Sequence, residues 1–493
     1  SSADVQSQVF VCFVFCFAAR MQGTEVDQED DDGVSNDKRV KRKMIFVIGY
    51  IGTRYRGLQI NPTVEATAEL KSVESVVRDA LVAGEFLLPS NADQLERKAN
   101  WSRSSRTDRG VHALRLVISA RLLVRLEDLN EKGHCPPMVQ ALNELLPEDV
   151  RCFGAVQGVK SFDAKKACSW REYEYLLPLE ILRSNAEDTT EQMLERLQRQ
   201  LRRFEGCHSF HNFARLKQSD LAWKETLAQR ERGRGKKRKV PANETVPGSP
   251  DEPIPSAGEE ETTRIQSASV PDNGKEHIAG SQAANVGDVA TAPTPCWVEI
   301  CARSATSSGW RERPAGVMKH AQGTIFMCTA DLVPSTDLVR ITLRGQFFLY
   351  NQIRIMVGSA VAVCAGFLSD EMMDFALKLP VEMHMPLMPP DGLLLSTGGQ
   401  QLMNERAGHC AMDEVQAKSV MLPEGGFCLL DEQGAAAVEL FTRRVEACIA
   451  EQWREGGALT GFREKLQTLR MPAQELLDSL RAKVVEVDQA KAE

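Results

Sequence analysis

From Lys224 to Cys296 the chain holds no Phe, Trp or Tyr, whereas Pro, Gly, Ser, Ala and Glu abound. Such a stretch cannot bury enough apolar surface to offset the entropy of ordering it, so disorder is expected across 228–296. Apolar patterning resumes beyond it, so the segment splits a folded unit without ending it. The chain has 493 residues, 43% of them hydrophobic. That suffices for two or more domains or for one elaborated two-lobed domain.

A net charge of −8 argues against nucleic-acid binding only if it is spread evenly. It is not: Glu29-Asp30-Asp31-Asp32 and the acidic stretch from Glu244 to Asp288 lie in segments not expected to join the core. Phosphate binding needs a local basic face rather than a basic pI. Residues 230–240 are a basic run suited to nuclear import or nonspecific RNA contact, or else a solvated charge run. The thirteen cysteines include no repeated Cys-x-x-Cys pair, which fits a reducing compartment better than a disulfide framework or a zinc ribbon. Cys207, His208 and His211 form the one tight Cys/His cluster. With Phe204, Phe210 and Phe213 interleaved, a core or RNA-facing role is expected there and no metal site. No run reaches the ~18–20 apolar residues of a transmembrane helix. Residues 9–19 are apolar but lack a preceding basic region, and read either as a truncated targeting peptide or as sequence upstream of a start at Met21.

Chemistry concentrates in Arg106-Thr107-Asp108-Arg109-Gly110-Val111-His112-Ala113, where one carboxylate stands between two guanidinium groups at a glycine-containing turn. Residues 100–105 are mainly polar, and 114–120 carry the long apolar run of a strand. Asp108 is therefore expected on a loop just before a strand. A neighbouring cation lowers its pKa and a dry pocket raises it; once ionised, it can attack an electrophilic carbon. Taken alone, Thr-Asp-x-Gly is also an ordinary turn whose aspartate accepts backbone hydrogen bonds.

Around this loop the periodicity marks further elements. Residues 44–50 read as a buried strand, ending in a turn over 52–59 whose cationic and aromatic side chains suit phosphate and base contacts, or are simply solvated. Val73, Val76, Val77, Ala80 and Leu81 mark an amphipathic helix, while 83–100 hold no strong pattern. A short helix over 138–146 is ended by Pro147 and followed by a strand. Glu172-Tyr173-Glu174-Tyr175 alternates at strand period, which puts both tyrosines on one face as core or site aromatics. A strand at 338–343 leads to an apolar helix over 355–365. Arg354 interrupts that hydrophobic surface, where a buried guanidinium needs a carboxylate or several acceptors. Phe441, Val445, Cys448, Ile449 and Trp453 line a helix face expected to pack on the body or to meet a partner, and 473–493 are charged and helical at most.

Ser105 through Ala113 closely resemble, without a gap, the catalytic-aspartate motif Gly/Ser-Arg-Thr-Asp-x-Gly-Val-His-Ala of the TruA-type tRNA pseudouridine synthases. Other blocks resemble those of the family in the expected order, across 44–230 and 297–400. Tyr50 to Gln59 is similar to its Tyr-x-Gly-Thr-x-Tyr-x-Gly-x-Gln, and 143–150 to its Asn-x-x-Leu-Pro-x-Asp-Ile. Arg171 to Tyr175 resembles its Arg-x-Tyr-x-Tyr, Gly345 to Gly358 its Gly-x-x-Phe-x-x-x-Gln-Ile-Arg-x-Met-x-Gly, and Pro389 to Leu395 its Pro-x-x-Gly-Leu-x-Leu. Phe204 to Phe213, with Tyr175-Leu176-Leu177-Pro178, resembles the eukaryotic branch more than the bacterial one.

The resemblance implies an α+β fold, two-lobed, with mixed, largely antiparallel sheets, helices and a central cleft. It implies that Asp108 is the nucleophile or carboxylate catalyst, with Arg106 and Arg354 as its electrostatic partners and Arg354 in contact with it. Tyr173 would be the stacking group that assists proton removal. Substrate-binding roles are implied for Arg54, Tyr55, Gln59, His112, Lys165, Arg171, His208 and Leu393, although the family commonly has arginine where Lys165 stands. The implied reaction is isomerisation of uridine to pseudouridine in tRNA or another RNA, with no cofactor and no metal. The expected organisation is a disordered or targeting segment over 1–43, a first lobe over 44–227, the insertion 228–296, a second lobe over 297–430 and a helical extension over 431–493. RNA is the expected partner, tRNA above all, with no membrane. A monomer is expected, the eukaryotic-type elaborations being set against the interface through which bacterial relatives dimerise. The nucleus is the expected location, with a mitochondrion or other organelle as the alternative. Competing readings are an inactive RNA-binding protein or tRNA chaperone on the same fold, and a scaffold acting through the insertion and the C-terminal helix.

Overall fold

The computed structural model describes residues 39–61, 70–216, 312–400, 429–455, 457–469 and 474–492. The apolar run 9–19, the basic run 230–240 and the rest of the expected insertion 228–296 lie outside the described residues.

The apolar run at 44–50 is the core of strand β1 (Val40–Tyr50), buried on both faces from residue 43 onward. A run without polar alternation needs cover on both sides. Helix α1 (Val73–Ala83) is opened by Ser72, whose side chain accepts from Ser75 N. The patternless stretch after it forms two short helical turns, Pro89–Ala92 and Leu95–Lys98. Strands β2 (Ser102–Arg103) and β3 (His112–Val124) follow, then α2 (Pro136–Leu145), β4 (Val150–Gln157) and β5 (Cys168–Pro178). A capping box of Thr189 and Gln192 starts α3 (Thr190–Arg202), which leads to β6 (Gly206–Ser209). Beyond 312 come β7 (Gln322–Leu332), β8 (Leu338–Gly345), α4 (Gln352–Cys364), α5 (Asp370–Lys378) and β9 (Leu393–Gln400). The extension forms α6 (Glu432–Glu455), α7 (Ala458–Gln467) and α8 (Gln474–Ala492).

Among the described residues, nine strands join one sheet in the order β4-β1-β3-β9-β5-β8-β7-β6, with β2 paired on β3. Neighbours are antiparallel except at β3 and β9, where His112 pairs with Leu394 and Ala113 with Leu395 in parallel. The fold is thus α+β with a mixed, mostly antiparallel open sheet. The short parallel join is the seam between two halves of that sheet, and these do not follow the expected lobe bounds, because β5 and β6, from within 44–227, lie beside β7, β8 and β9 in the second half.

Two helices brace the second half and the seam. Helix α4 is buried nearly all round, and a Cβ on its Gly358 would stand 2.3 Å from Pro386 O, so segment 386–388 rests directly on its backbone. Helix α6 buries Val438, Phe441, Val445, Ile449 and Trp453 along one stripe, each contributing about 1.5–3 kcal/mol. Its Phe441 ring meets Phe153 of β4 edge-on at 5.5 Å, and Trp453 Nε1 donates to Leu176 O of β5 at 2.9 Å. Arg340 of β8 bridges Glu174 of β5 and Glu446 of α6. The expected packing of this face on the body is what the helix does, and it ties the two halves together. No helix among the described residues is long and apolar enough to cross a membrane.

Candidate active site

Asp108 lies on loop 104–111, between β2 and β3 and directly before the seam. Three anchors hold the loop. Ser104 N donates to Val117 O at 2.9 Å, and Ser104 Oγ accepts from Val117 N at 3.2 Å. The Tyr50 and Thr107 hydroxyls share a buried hydrogen bond of 2.7 Å. Val111 N donates to Asp108 O at 3.2 Å, closing a turn in which Gly110 takes a φ of +81°.

Turn 52–59 rests on this loop because its glycines leave room. A Cβ at Gly52 would stand 2.1 Å from Val111 O. At Gly57, whose φ is +104°, it would stand 3.0 Å from Thr107 O and 3.2 Å from the Asp108 carbonyl carbon.

Asp108 is half-buried. Burial pushes its carboxyl above the usual carboxylate range, and the charges of Arg354 and then Arg106 offset this only in part. Of the two opposing effects weighed from the sequence, desolvation therefore wins, because Arg106 and Arg109 are exposed to solvent screening. Arg354 sits in the first turn of α4, with Nε donating to Met388 O at 2.7 Å and a terminal nitrogen to Asn351 Oδ1 at 3.2 Å. No ion pair within 4 Å joins it to Asp108, so the expected contact is replaced by attraction through space. Backbone and amide oxygens supply the acceptors that a buried guanidinium requires.

From β5, Tyr173 shares a hydrogen bond of 2.7 Å with Ser105 Oγ and meets Phe348 edge-on, with ring centroids 5.3 Å apart. Burial raises its pKa, the Ser105 bond and Arg171 oppose this, and the charge of Asp108 adds to it. The phenol is therefore un-ionised at neutral pH and hydrogen-bonded to Ser105 Oγ. Leu393 opens β9 opposite Tyr175, and Leu395 stands opposite Tyr173. The Tyr175 hydroxyl donates to Pro389 O at 2.7 Å, and a Cβ at Gly110 would touch Pro390 Cγ at 3.2 Å. Segment 389–393 is thereby strapped across β5 and against the Asp108 loop. Asp108, Arg106, Tyr173, Arg354 and Leu393 thus come from elements that converge on the seam.

The other residues expected to bind substrate divide into two groups. Arg54, Gln59 and Lys165 are exposed, and Arg54 is steered by Asp149, with Nε to Oδ2 at 2.9 Å. Tyr55 is buried with its hydroxyl donating to Asp149 Oδ1 at 2.7 Å, so its ring is a support rather than an open stacking face. Arg171 donates to Ser104 O at 2.8 Å and Gln346 O at 3.0 Å, bracing the Asp108 loop. His112 is wholly buried at the seam, out of reach of any RNA. His208 is on β6, at the far edge of the sheet, bonded to Glu205 O at 2.7 Å and not gathered to Asp108. In its cluster Cys207 is exposed and His211 is buried.

Sequence reasoning missed several supports. Asp149 could have been found, since it is the acid of the Leu-Pro-x-Asp block. Glu74 carries no local signal, being an ordinary first-turn acid. It is buried, accepts from Trp101 Nε1 at 2.8 Å and Ile60 N at 3.1 Å, and pairs with Arg103 at 2.5 Å. It thus joins Ile60, at the end of the turn, to the approach of the Asp108 loop.

Residues 310–397 match the family model described as tRNA pseudouridine synthase, a span that includes Arg354 and Leu393. Over that span the chain is similar to a TruA-type pseudouridine synthase domain. Among similar proteins, tRNA pseudouridine synthase 1 of Candida albicans is 35% identical over 153 residues, 31% of this chain and 23% of that protein. The protein of the same name from Saccharomyces cerevisiae is 33% identical over 156 residues, 32% of this chain and 26% of that protein. Pseudouridylate synthase 1 homolog of Mus musculus is 29% identical over 188 residues, 36% of this chain and 41% of that protein. The chain thus spans about a quarter of the length of these fungal relatives and 41% of the mouse one.

Proposed function

We propose that this protein isomerises uridine to pseudouridine in RNA, with tRNA as the substrate. The observation that carries the reading is Asp108 at the sheet seam, half-buried, under the charges of Arg354 and Arg106, on a loop whose Ser105 is hydrogen-bonded to the Tyr173 hydroxyl. The names of the fungal relatives support tRNA as the substrate class.

A uridine within folded RNA hides its glycosidic bond, so it has to be flipped into the site. Tyr173 and Leu393 form the apolar wall against which the base lies. The exposed Arg54, Gln59, Arg106 and Lys165 meet the backbone and flanking nucleotides. The rearrangement breaks N1–C1′, rotates the uracil, joins C5 to C1′ and releases the C5 proton. It is redox-neutral and needs no external energy, so no cofactor enters the reading. Asp108 supplies an ionised carboxylate, whether it attacks sugar or base, and its raised pKa makes it a stronger nucleophile than a solvated aspartate. Arg354 favours its ionised form.

The basic run 230–240 supports a nuclear location for the enzyme. The packing of α6 over the sheet supports a monomer. Nucleoside analysis of an unmodified tRNA transcript after incubation with the protein tests the function: pseudouridine should accumulate at the expense of uridine. A transcript that is bound but unchanged would favour the RNA-binding reading.

A further inference from the structure

The residue that closes the catalytic octapeptide's turn onto β3 has a geometry that core packing alone does not require. His112 is wholly buried, and its two ring nitrogens face opposite partners: Nδ1 lies 3.2 Å from Gly52 N, and Nε2 lies 3.1 Å from Asp391 O. A backbone N–H can only donate and a carbonyl can only accept. The ring is therefore held as the neutral tautomer in which Nδ1 accepts and Nε2–H donates. A protonated ring would point an N–H at the N–H of Gly52. Burial pushes the His112 pKa down to about 4, in keeping with that neutral form.

One ring thus joins three pieces of chain. Gly52 begins the turn that carries Arg54, Tyr55 and Gln59. His112 begins β3, four residues past Asp108 in the sequence. Asp391 lies in the strap whose Pro390 abuts Gly110 and whose Leu393 walls the base. Below the ring, the parallel pairing of His112 with Leu394 fixes β3 on β9.

We propose that His112 is a positioning residue for the isomerisation: a neutral, tautomer-locked clasp that sets the RNA-side turn and the base-side strap at a fixed spacing about Asp108. This rests on the pseudouridine synthase reading. The two halves of the clasp are separable. In His112→Asn the amide oxygen stands near the Nδ1 position and keeps an acceptor for Gly52, but nothing reaches Asp391. In His112→Gln the amide nitrogen reaches the Nε2 position and keeps a donor for Asp391, but the acceptor for Gly52 is lost.

Steady-state kinetics on tRNA, with thermal midpoints of each variant, test the clasp. His112→Asn should lower kcat about tenfold, the worth of one buried hydrogen bond, with KM little changed, because the base strap is what loosens. His112→Gln should raise KM by a similar factor with kcat little changed, because the RNA-side turn loosens. Equal effects on kcat and KM in both variants, tracking only their thermal midpoints, or wild-type kinetics in both, would overturn the proposal. Ring-nitrogen shifts, with the His112 signal assigned by its absence from His112→Asn, give a test that needs no activity. The His112 ring is expected to stay in the Nε2–H neutral form down to about pH 5, and its titration above that pH contradicts the clasp. A wild type that makes no pseudouridine would instead remove the functional reading and leave the ring-nitrogen result to decide the clasp.

Discussion

Arg354 donates its Nε to the carbonyl of Met388 at 2.7 Å, and Met388 returns its own N–H to the Arg354 carbonyl at 3.2 Å. This two-way tie fixes the guanidinium as a stationary charge facing Asp108, with no proton shared between them. Burial alone would keep the Asp108 carboxyl protonated to higher pH, and Arg354 is the larger of the two charges that oppose it. In Arg354→Gln the carboxylate loses that support, its pKa rises, and the acid limb of kcat/KM moves to higher pH. Activity at neutral pH should fall on the order of 100-fold, as when one preorganised electrostatic partner is removed. Arg106→Gln should move the limb the same way by less. A limb that stays in place in Arg354→Gln would contradict the through-space role.

Tyr173→Phe keeps the ring against Phe348 and removes the bond to Ser105. RNA affinity should be retained while turnover falls, and stability should drop by about 1 kcal/mol. Ser105→Ala is the companion variant: if that hydrogen bond positions the phenol for turnover, it too slows turnover. Single-turnover rates, set beside filter-binding affinities, check both.

Gly57→Ala places a Cβ in the left-handed region and within 3.0 Å of Thr107 O. The conformational cost alone is about 1–2 kcal/mol, and the catalytic loop has to retreat from the turn. Urea denaturation should show that loss, and activity should fall further than stability, since the displaced backbone is that of Asp108.

Trp453 is the outermost anchor of α6. Trp453→Phe leaves Leu176 O without its donor and should cost about 1–3 kcal/mol. Leu440→Ala, on the same helix but 67% exposed, should stay within about 0.5 kcal/mol. Equal urea midpoints for the two variants would mean that α6 does not brace the seam.

The buried neutral His112 gives the protein an acid weakness. Its folded pKa of about 4 lies below the ordinary 6.5, so the unfolded chain binds the proton first. The stability that depends on the neutral ring is complete above pH 6.5 and is lost as pH falls towards 4, by up to on the order of 3 kcal/mol. His211, lowered for the same reason, adds in the same direction. Raised carboxyls such as Glu74 act oppositely, so the comparison is made within one pair of proteins. The drop in urea midpoint from pH 7 to pH 5 should be larger in wild type than in His112→Asn.

Much of this was legible before any coordinates. β1, β3 and β5 declare themselves by local period, and the octapeptide places Asp108 on a loop because its glycine and polar flanks act over a few residues. The seam was not legible. The pairing of His112 with Leu394 joins distant stretches of chain, and parallel pairing leaves no turn signal between its strands. For the same reason His112, Tyr55 and Arg171 read as substrate contacts although their partners are buried backbone atoms and Asp149. Motif membership marks a residue as needed by the site without saying whether it faces the substrate or the scaffold. The outcome at Asp108 was likewise hidden, since a sequence shows the adjacent arginines but not how much water burial removes.

The central claim is that Asp108 performs uridine isomerisation on this scaffold. It is tested most directly by tritium release from tRNA transcribed with 5-tritiated uridine, comparing the wild type with Asp108→Asn at matched tRNA binding. Release by the wild type alone, with both proteins folded and bound, is the predicted result. Release at equal rates from both proteins, or from neither while both bind, would contradict the account.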